Sequence, residues 1–237
     1  SKSQLSAPGS IYNIKKYTYG LQMSDMDADP KNEITVDMEN LKKLAPTVLT
    51  DIPTLPAIVT WVNLSVLGAT GDGVTDDTKI IQEAIEKYTT IYLPQGVYRI
   101  SETIKLKNNT VLIGLHPMST NFVIGKSTPA FSGFGTPKPM IETPQGGRNI
   151  ITGIGLNTGE YNYRAVACKW MSGENSLVDD VKFIGGSGTM AKGPYTISNN
   201  ESKKSRPNPG FDPAWDTQYW NFWITNGGGG IFKNIWT

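Results

Sequence analysis

With 237 residues and a formal net charge of +1, the chain offers no bulk electrostatic attraction for nucleic acid or an anionic membrane surface. Hydrophobic residues make up 38% and charged residues 18%, and the 25 glycines and 15 prolines suit a β protein rich in turns. One cysteine (Cys168) and one histidine (His116), far apart, exclude an internal disulfide and a zinc site, and no apolar run approaches membrane-spanning length.

Residues 1–44 carry mixed patterns, with 33–38 predicted as a short strand. Over residues 45–61 the sequence reads APTVLTDIPTLPAIVTW, where Pro46, Pro53 and Pro56 exclude a regular helix and mark a linker. Residues 1–60 read as the tail of an upstream domain plus this connector, with an arm wrapping its own domain as the alternative. A domain then spans 61–237, opening on a strand at 62–64.

Residues 68–100 organise the rest of the chain. Gly71 and Gly73 beside Asp72 form a turn, and Asp76, Asp77 and Thr78 offer oxygens to the free N–H groups of a new helix. Ile80, Ile81, Ala84 and Ile85 make one apolar stripe of that helix, opposite Lys79, Gln82, Glu83 and Glu86. Calcium binding by Asp72, Asp76 and Asp77 is the weaker reading, since the spacing and a missing distal glutamate argue against it. Short strands are predicted at 90–93, 97–100, 103–107, 110–115, 121–124, 140–142 and 149–156.

Internal repetition is visible where RAVACKWMSGENSLVDDVKF aligns with QYWNFWITNGGGGIFKNIWT. Trp170 to Val181 and Ile224 to Ile235 each span 11 positions (181 − 170 and 235 − 224). Equal spacing of strand pairs is what successive coils of a solenoid require. The fold class expected is therefore all-β, a right-handed parallel β-helix with a short N-terminal capping helix. Strand alternation sends Val166, Cys168 and Trp170 inward over Trp220, Phe222 and Ile224, with Leu177 and Val181 inward over Ile231 and Ile235. Ala167 and Lys169 over Asn221 and Trp223, and Asp180 and Lys182 over Asn234 and Trp236, form the outward set; Asp179 falls over Lys233. A polar, proline-rich insertion occupies 187–215. Gly227 to Gly230 form a side-chain-free turn that admits close approach of a sugar or of the next loop. The coil pattern is still running at Thr237, so the remainder of a longer chain or a second chain is expected to cover that end.

GDGVTDDT, IQEAI and YLPQGVYRI resemble the opening of pectate-lyase-like β-helix domains of family-55 glycoside hydrolases and phage tail spikes. TVLIGLHP, GGRNIITGIGL, RAVACKW, DDVKFIGGSGT and WDTQYWNFW resemble a bacterial branch of those β-1,3-glucanase-like proteins. That branch usually carries GGHGT where this chain has Gly185-Gly186-Ser187-Gly188-Thr189. The resemblance implies an exported protein, secreted, periplasmic or on the cell surface, that meets a polysaccharide or oligosaccharide. It implies inverting hydrolysis by an acid and an activated water, with the proton donor supplied from beyond this chain and no cofactor or metal. Asp216 and Gln218 stand at the rim where a groove would open, and Gln218 is the candidate holder of the water. The competing reading of Gln218 is a rim hydrogen bond that fixes the long loop. Trp223, Trp236, Tyr219, Tyr195 and Trp215 are the candidate sugar platforms, since flat apolar rings suit pyranose faces. Stacking on Lys169 and Lys182 is the alternative for the two outward tryptophans. A non-catalytic or tail-spike-like β-helix that binds glycans or holds an assembly together is the competing function.

Overall fold

The computed structural model describes residues 8–22, 29–44, 52–185 and 217–237, and the chain divides into two units between Thr50 and Asp51. The first unit contains an antiparallel hairpin of β1 (Tyr12–Gln22) and β2 (Lys31–Asn40). Its first strand has no clean alternation in sequence, and the register shows why. A bulge between Ile14 and Lys16 resets the parity of β1. Ile14, Tyr17 and Tyr19 thereby pair with Met38, Val36 and Ile34 along one face.

The second unit is built from short parallel strands. They are β3 (Val62–Asn63), β4 (Asp72–Asp76), β5 (Thr90–Leu93), β6 (Gly96–Ile100), β7 (Ile104–Lys105), β8 (Val111–Gly114), β9 (Thr120–Ile124), β10 (Lys138–Glu142), β11 (Ile150–Asn157), β12 (Ala165–Trp170), β13 (Leu177–Ile184), β14 (Phe222–Ile224) and β15 (Ile231–Trp236). Strands β7, β10, β12 and β14 make a four-stranded sheet. In the larger sheet, β3–β5–β8 and β4–β6–β9 converge on β11, whose first half pairs with β8 and second half with β9; β13 and β15 come next. Each strand pairs in parallel with its counterpart a full turn along the chain, which is a parallel β-helix, the fold class expected. Trp170 lies against Ile224 and Val181 against Ile235, as the repeat requires.

Helix α1 (Thr78–Lys87) buries Ile81, Ala84 and Ile85 against the core at the start of this stack. Its aspartates divide the work differently from the sequence expectation. Asp76 accepts the Thr78 N–H at 3.0 Å. Asp77, almost fully buried, makes no side-chain cap. Its two carboxylate oxygens instead accept the Thr70 and Gly71 N–H groups at 2.8 and 3.0 Å. Asp72 accepts from the Val74 and Thr75 N–H groups. GDGVTDDT thus ties a glycine turn to a helix start.

The core runs through the coils from Leu64 to Phe183 and is closed by Trp170, whose ring meets Phe222 and Phe232. Four side chains depart from simple alternation. Leu177 does not share the face of Val181: it joins Val111, Ile113 and Ile150 in a separate cluster, while Val178, Val181 and Phe183 enter the main core. The cause is Asp180, whose φ of 51° turns the strand through the left-handed region and reverses parity. Ala167, expected outward, is fully buried. Trp220 and Ile224, expected inward, are 63% and 47% exposed: the ladder with β12 begins only at Phe222, after Trp220, and ends at Ile224. The four-glycine turn is filled by its own neighbour: Gly229 donates to Ser172 O at 2.7 Å and accepts the Trp170 indole N–H at 2.9 Å.

Candidate functional site

The outward residues of the four-stranded sheet form rows that run from coil to coil. One row is Lys105, Glu142, Lys169 and Trp223, each in register with the next. Adjacent parallel strands lie roughly 4.8 Å apart, so such side chains touch directly. Lys169 makes an ion pair with Glu142 at 3.2 Å and stands 5.2 Å from the centre of the Trp223 ring. The stacking of Trp223 on the lysine of the coil before it is therefore present, and the ring remains half-buried.

Tyr219 and Gln218 lie just before β14, at the edge of this same sheet. Gln218 is nearly buried, and its side-chain oxygen accepts the Gly135 N–H at 2.9 Å. Its own N–H donates to Tyr163 O at 2.7 Å. The Tyr219 hydroxyl donates to Gly135 O. Both residues therefore grip the segment between β9 and β10. The rim hydrogen bond that Gln218 makes is to the segment between β9 and β10, while the 187–215 loop lies outside the described residues.

That grip assembles an aromatic corner that the sequence reading left out. Phe134 stacks on Tyr163 with ring centres 4.8 Å apart, and Tyr163 meets Tyr161 edge-on at 6.4 Å. Burial raises the Tyr163 phenol above its ordinary range, and the neighbouring Tyr161 adds to the rise. Arg164 Nε donates to Thr136 O at 3.0 Å. Beneath them Asn162, 1% exposed, accepts from Thr128 N–H and donates to the carbonyls of Gly125 and Thr158. The Tyr-Asn-Tyr run at 161–163, immediately before the aligned repeat, was the available signal. Glu142 was legible too, since it lies one coil, 27 positions, before Lys169 (169 − 142).

Trp236 belongs to the other sheet. It is in register with Lys182, is 43% exposed, and packs edge-to-face with His116 at 6.3 Å. The two outward tryptophans thus do not share a sheet. Asp179 is held by Lys233 at 3.0 Å and by the Asn234 amide at 2.9 Å. At the β7 end of the four-stranded sheet an open depression of about 620 Å³ is lined by Asp76, Gln82, Glu83, Ser101, Glu102 and Thr103. Among the described residues no group of three or more His, Cys, Asp or Glu side chains gathers to hold a metal ion. Tyr195, Trp215 and Asp216 lie outside the described residues.

The family model described as rhamnogalacturonase A/epimerase, pectate lyase-like, matches residues 61–232. A preneck appendage protein of Bacillus phage PZA is 49% identical over 53 residues, 22% of this chain and 6% of that protein. A probable glucan endo-1,3-beta-glucosidase of Arthroderma benhamiae is 33% identical over 160 residues, 57% of this chain and 17% of that protein. The chain thus spans less than a fifth of the length of either relative. Among solved structures, the A-module of a mannuronan C-5 epimerase of Azotobacter vinelandii superposes with a TM-score of 0.39 at 24% identity, over 51% of this chain and 37% of that one.

Proposed function

Because the chain belongs to the rhamnogalacturonase A/epimerase, pectate lyase-like family, we propose that it is part of an exported carbohydrate-active protein, a glycoside hydrolase acting on β-1,3-glucan or a related polysaccharide. In this reading the outer face of the four-stranded sheet is one wall of the substrate groove. The observation that carries it is the row Glu142–Lys169–Trp223, an aromatic ring braced by an ion pair on an outward sheet face. Such a row offers a flat apolar surface to a pyranose ring and charged partners to its hydroxyl groups. The similarity to the Arthroderma protein supports the choice of glucan. Gln218 and Tyr219 shape the rim, and the proton donor for inversion belongs to a longer protein. By the resemblance to family-55 enzymes Asp216 remains a candidate rim acid.

The test is incubation of the full-length protein with laminarin, with detection of released reducing sugar and of retention in laminarin-containing gels. Hydrolysis is expected, with Trp223→Ala weakening retention about tenfold. Retention without sugar release favours the non-catalytic reading, which the match to a phage appendage protein supports. Absence of both release and retention overturns the proposal.

A further inference from the structure

Tyr161 holds a backbone φ of 58°, in the left-handed region that bulky side chains avoid. Outliers of this kind persist only where the surroundings hold them, and they cluster at functional positions. Here the holding element is Asn162, whose buried side chain makes three hydrogen bonds to Gly125, Thr128 and Thr158 and fixes the chain on either side. The ring gains little packing in return. Lys126 stands 5.0 Å from its centre and Tyr163 meets it only by an edge, and 37% of Tyr161 stays exposed. A ring that is costly to place, rigidly held and left open is placed for something outside the fold.

The chemistry around it selects the occupant. Lys126, over one face of the ring, pairs with Glu160 at 3.2 Å, so an ion pair of ammonium and carboxylate stands beside that face. One ring with a donor and an acceptor beside it matches one sugar unit, whose C–H face lies on the ring and whose hydroxyls reach the charged pair. A protein partner would need a far wider apolar surface than this polar corner supplies. The corner continues through Tyr163 and Phe134 to Gly135, where Tyr219 and Gln218 edge the four-stranded sheet. We infer that Tyr161 is a second saccharide platform, taking one pyranose unit of a polysaccharide at a point beyond the Trp223 row. The inference rests on the carbohydrate reading above but not on hydrolysis.

The probes are laminarin and polygalacturonate, each cast into native gels through which the full chain and its variants migrate. Tyr161→Gly removes the ring and suits the left-handed backbone. It is expected to melt at or above the wild-type temperature while its affinity for the retained polysaccharide falls about five- to tenfold. Tyr161→Phe keeps the ring and keeps the retention. The same loss is expected when Tyr161→Gly is added to Trp223→Ala. Wild-type retention of Tyr161→Gly on every polysaccharide that retains the parent overturns this inference and leaves the Trp223 face standing. A Tyr161→Gly protein that melts several degrees lower makes the ring a packing element and overturns it too. Loss on Tyr161→Gly with none on Trp223→Ala supports the platform against the groove, and a parent chain retained by neither probe overturns both.

Discussion

Gly153, Asp180 and Asn234 occupy equivalent places in successive coils, between the register pairs Thr152–Asp179–Lys233 and Ile154–Val181–Ile235. All three have positive φ, at 68°, 51° and 51°. The repeat here is one of backbone conformation rather than of side chain, so an alignment by hydrophobic character passes over it. Only glycine, asparagine and aspartate visit this region readily. Aspartate at 180 therefore reads as a corner residue, while Asp179 beside it is held by Lys233 and Asn234. Asp180→Val places a β-branched side chain in the left-handed region and should cost about 1–2 kcal/mol. Asp180→Gly should stay within about 0.5 kcal/mol of the parent. Urea midpoints at unchanged slope measure both, and equal costs for the two variants would refute the account. The same corner explains why alternation was a good guide on each side of residue 180 and failed across it, sending Leu177 and Val181 to different clusters.

At the scale of elements, the strands were legible wherever hydrophobic runs were bounded by turn residues. Strand β5 occupies residues 90–93 as expected, and β6, β8, β9 and β11 lie within a residue or so of their expected ends. What the sequence could not reveal is which polar side chain serves which coil. Asn149 reads as the first residue of a strand, yet its buried amide donates to Lys107 O and Thr110 O in the coil before and accepts from Ser172 Oγ in the coil after. Asp77 reads as a helix cap and proves to be a brace. Its carboxylate satisfies two backbone donors of the preceding glycine turn, and replacing it leaves both unpaired in a buried place. Asp77→Ala should cost about 2–3 kcal/mol, the range for hydrogen bonds to a charged group. Asp72→Ala, at the exposed start of β4, should cost well under half as much. Thermal melts of the two variants decide this, and a larger loss at Asp72 would show that the turn, rather than its tie to the helix, carries the stability of the motif.

In the β-helix unit as a whole, each coil contacts chiefly its neighbours, so opening should spread from one end rather than occur in a single step. Cys168 reports on this directly. It is the one thiol of the chain, lies buried in β12, and is in register with Ile141 of β10 on one side and Phe222 of β14 on the other. Burial pushes its pKa well above the ordinary thiol range, so the reactive thiolate is scarce while the coil stays closed. Among the described strands β14 is the outermost member of the four-stranded sheet and only 3 residues long, pairing with β12 through Cys168, Lys169 and Trp170. Its detachment uncovers the thiol while β10 and β12 remain paired. Labelling of the full chain with a disulfide reagent at mildly alkaline pH should therefore be slow in buffer and should accelerate with urea. The slope of that acceleration should lie well below the slope of global unfolding, since the surface exposed by one short strand is a small part of the total. Equal slopes would mean that the thiol is reached only when every coil opens together. In that case the aromatic closure of Trp170 on Phe222 and Phe232 binds the last coil to the stack as firmly as any other, and the outward row ending at Trp223 would be a rigid surface from end to end.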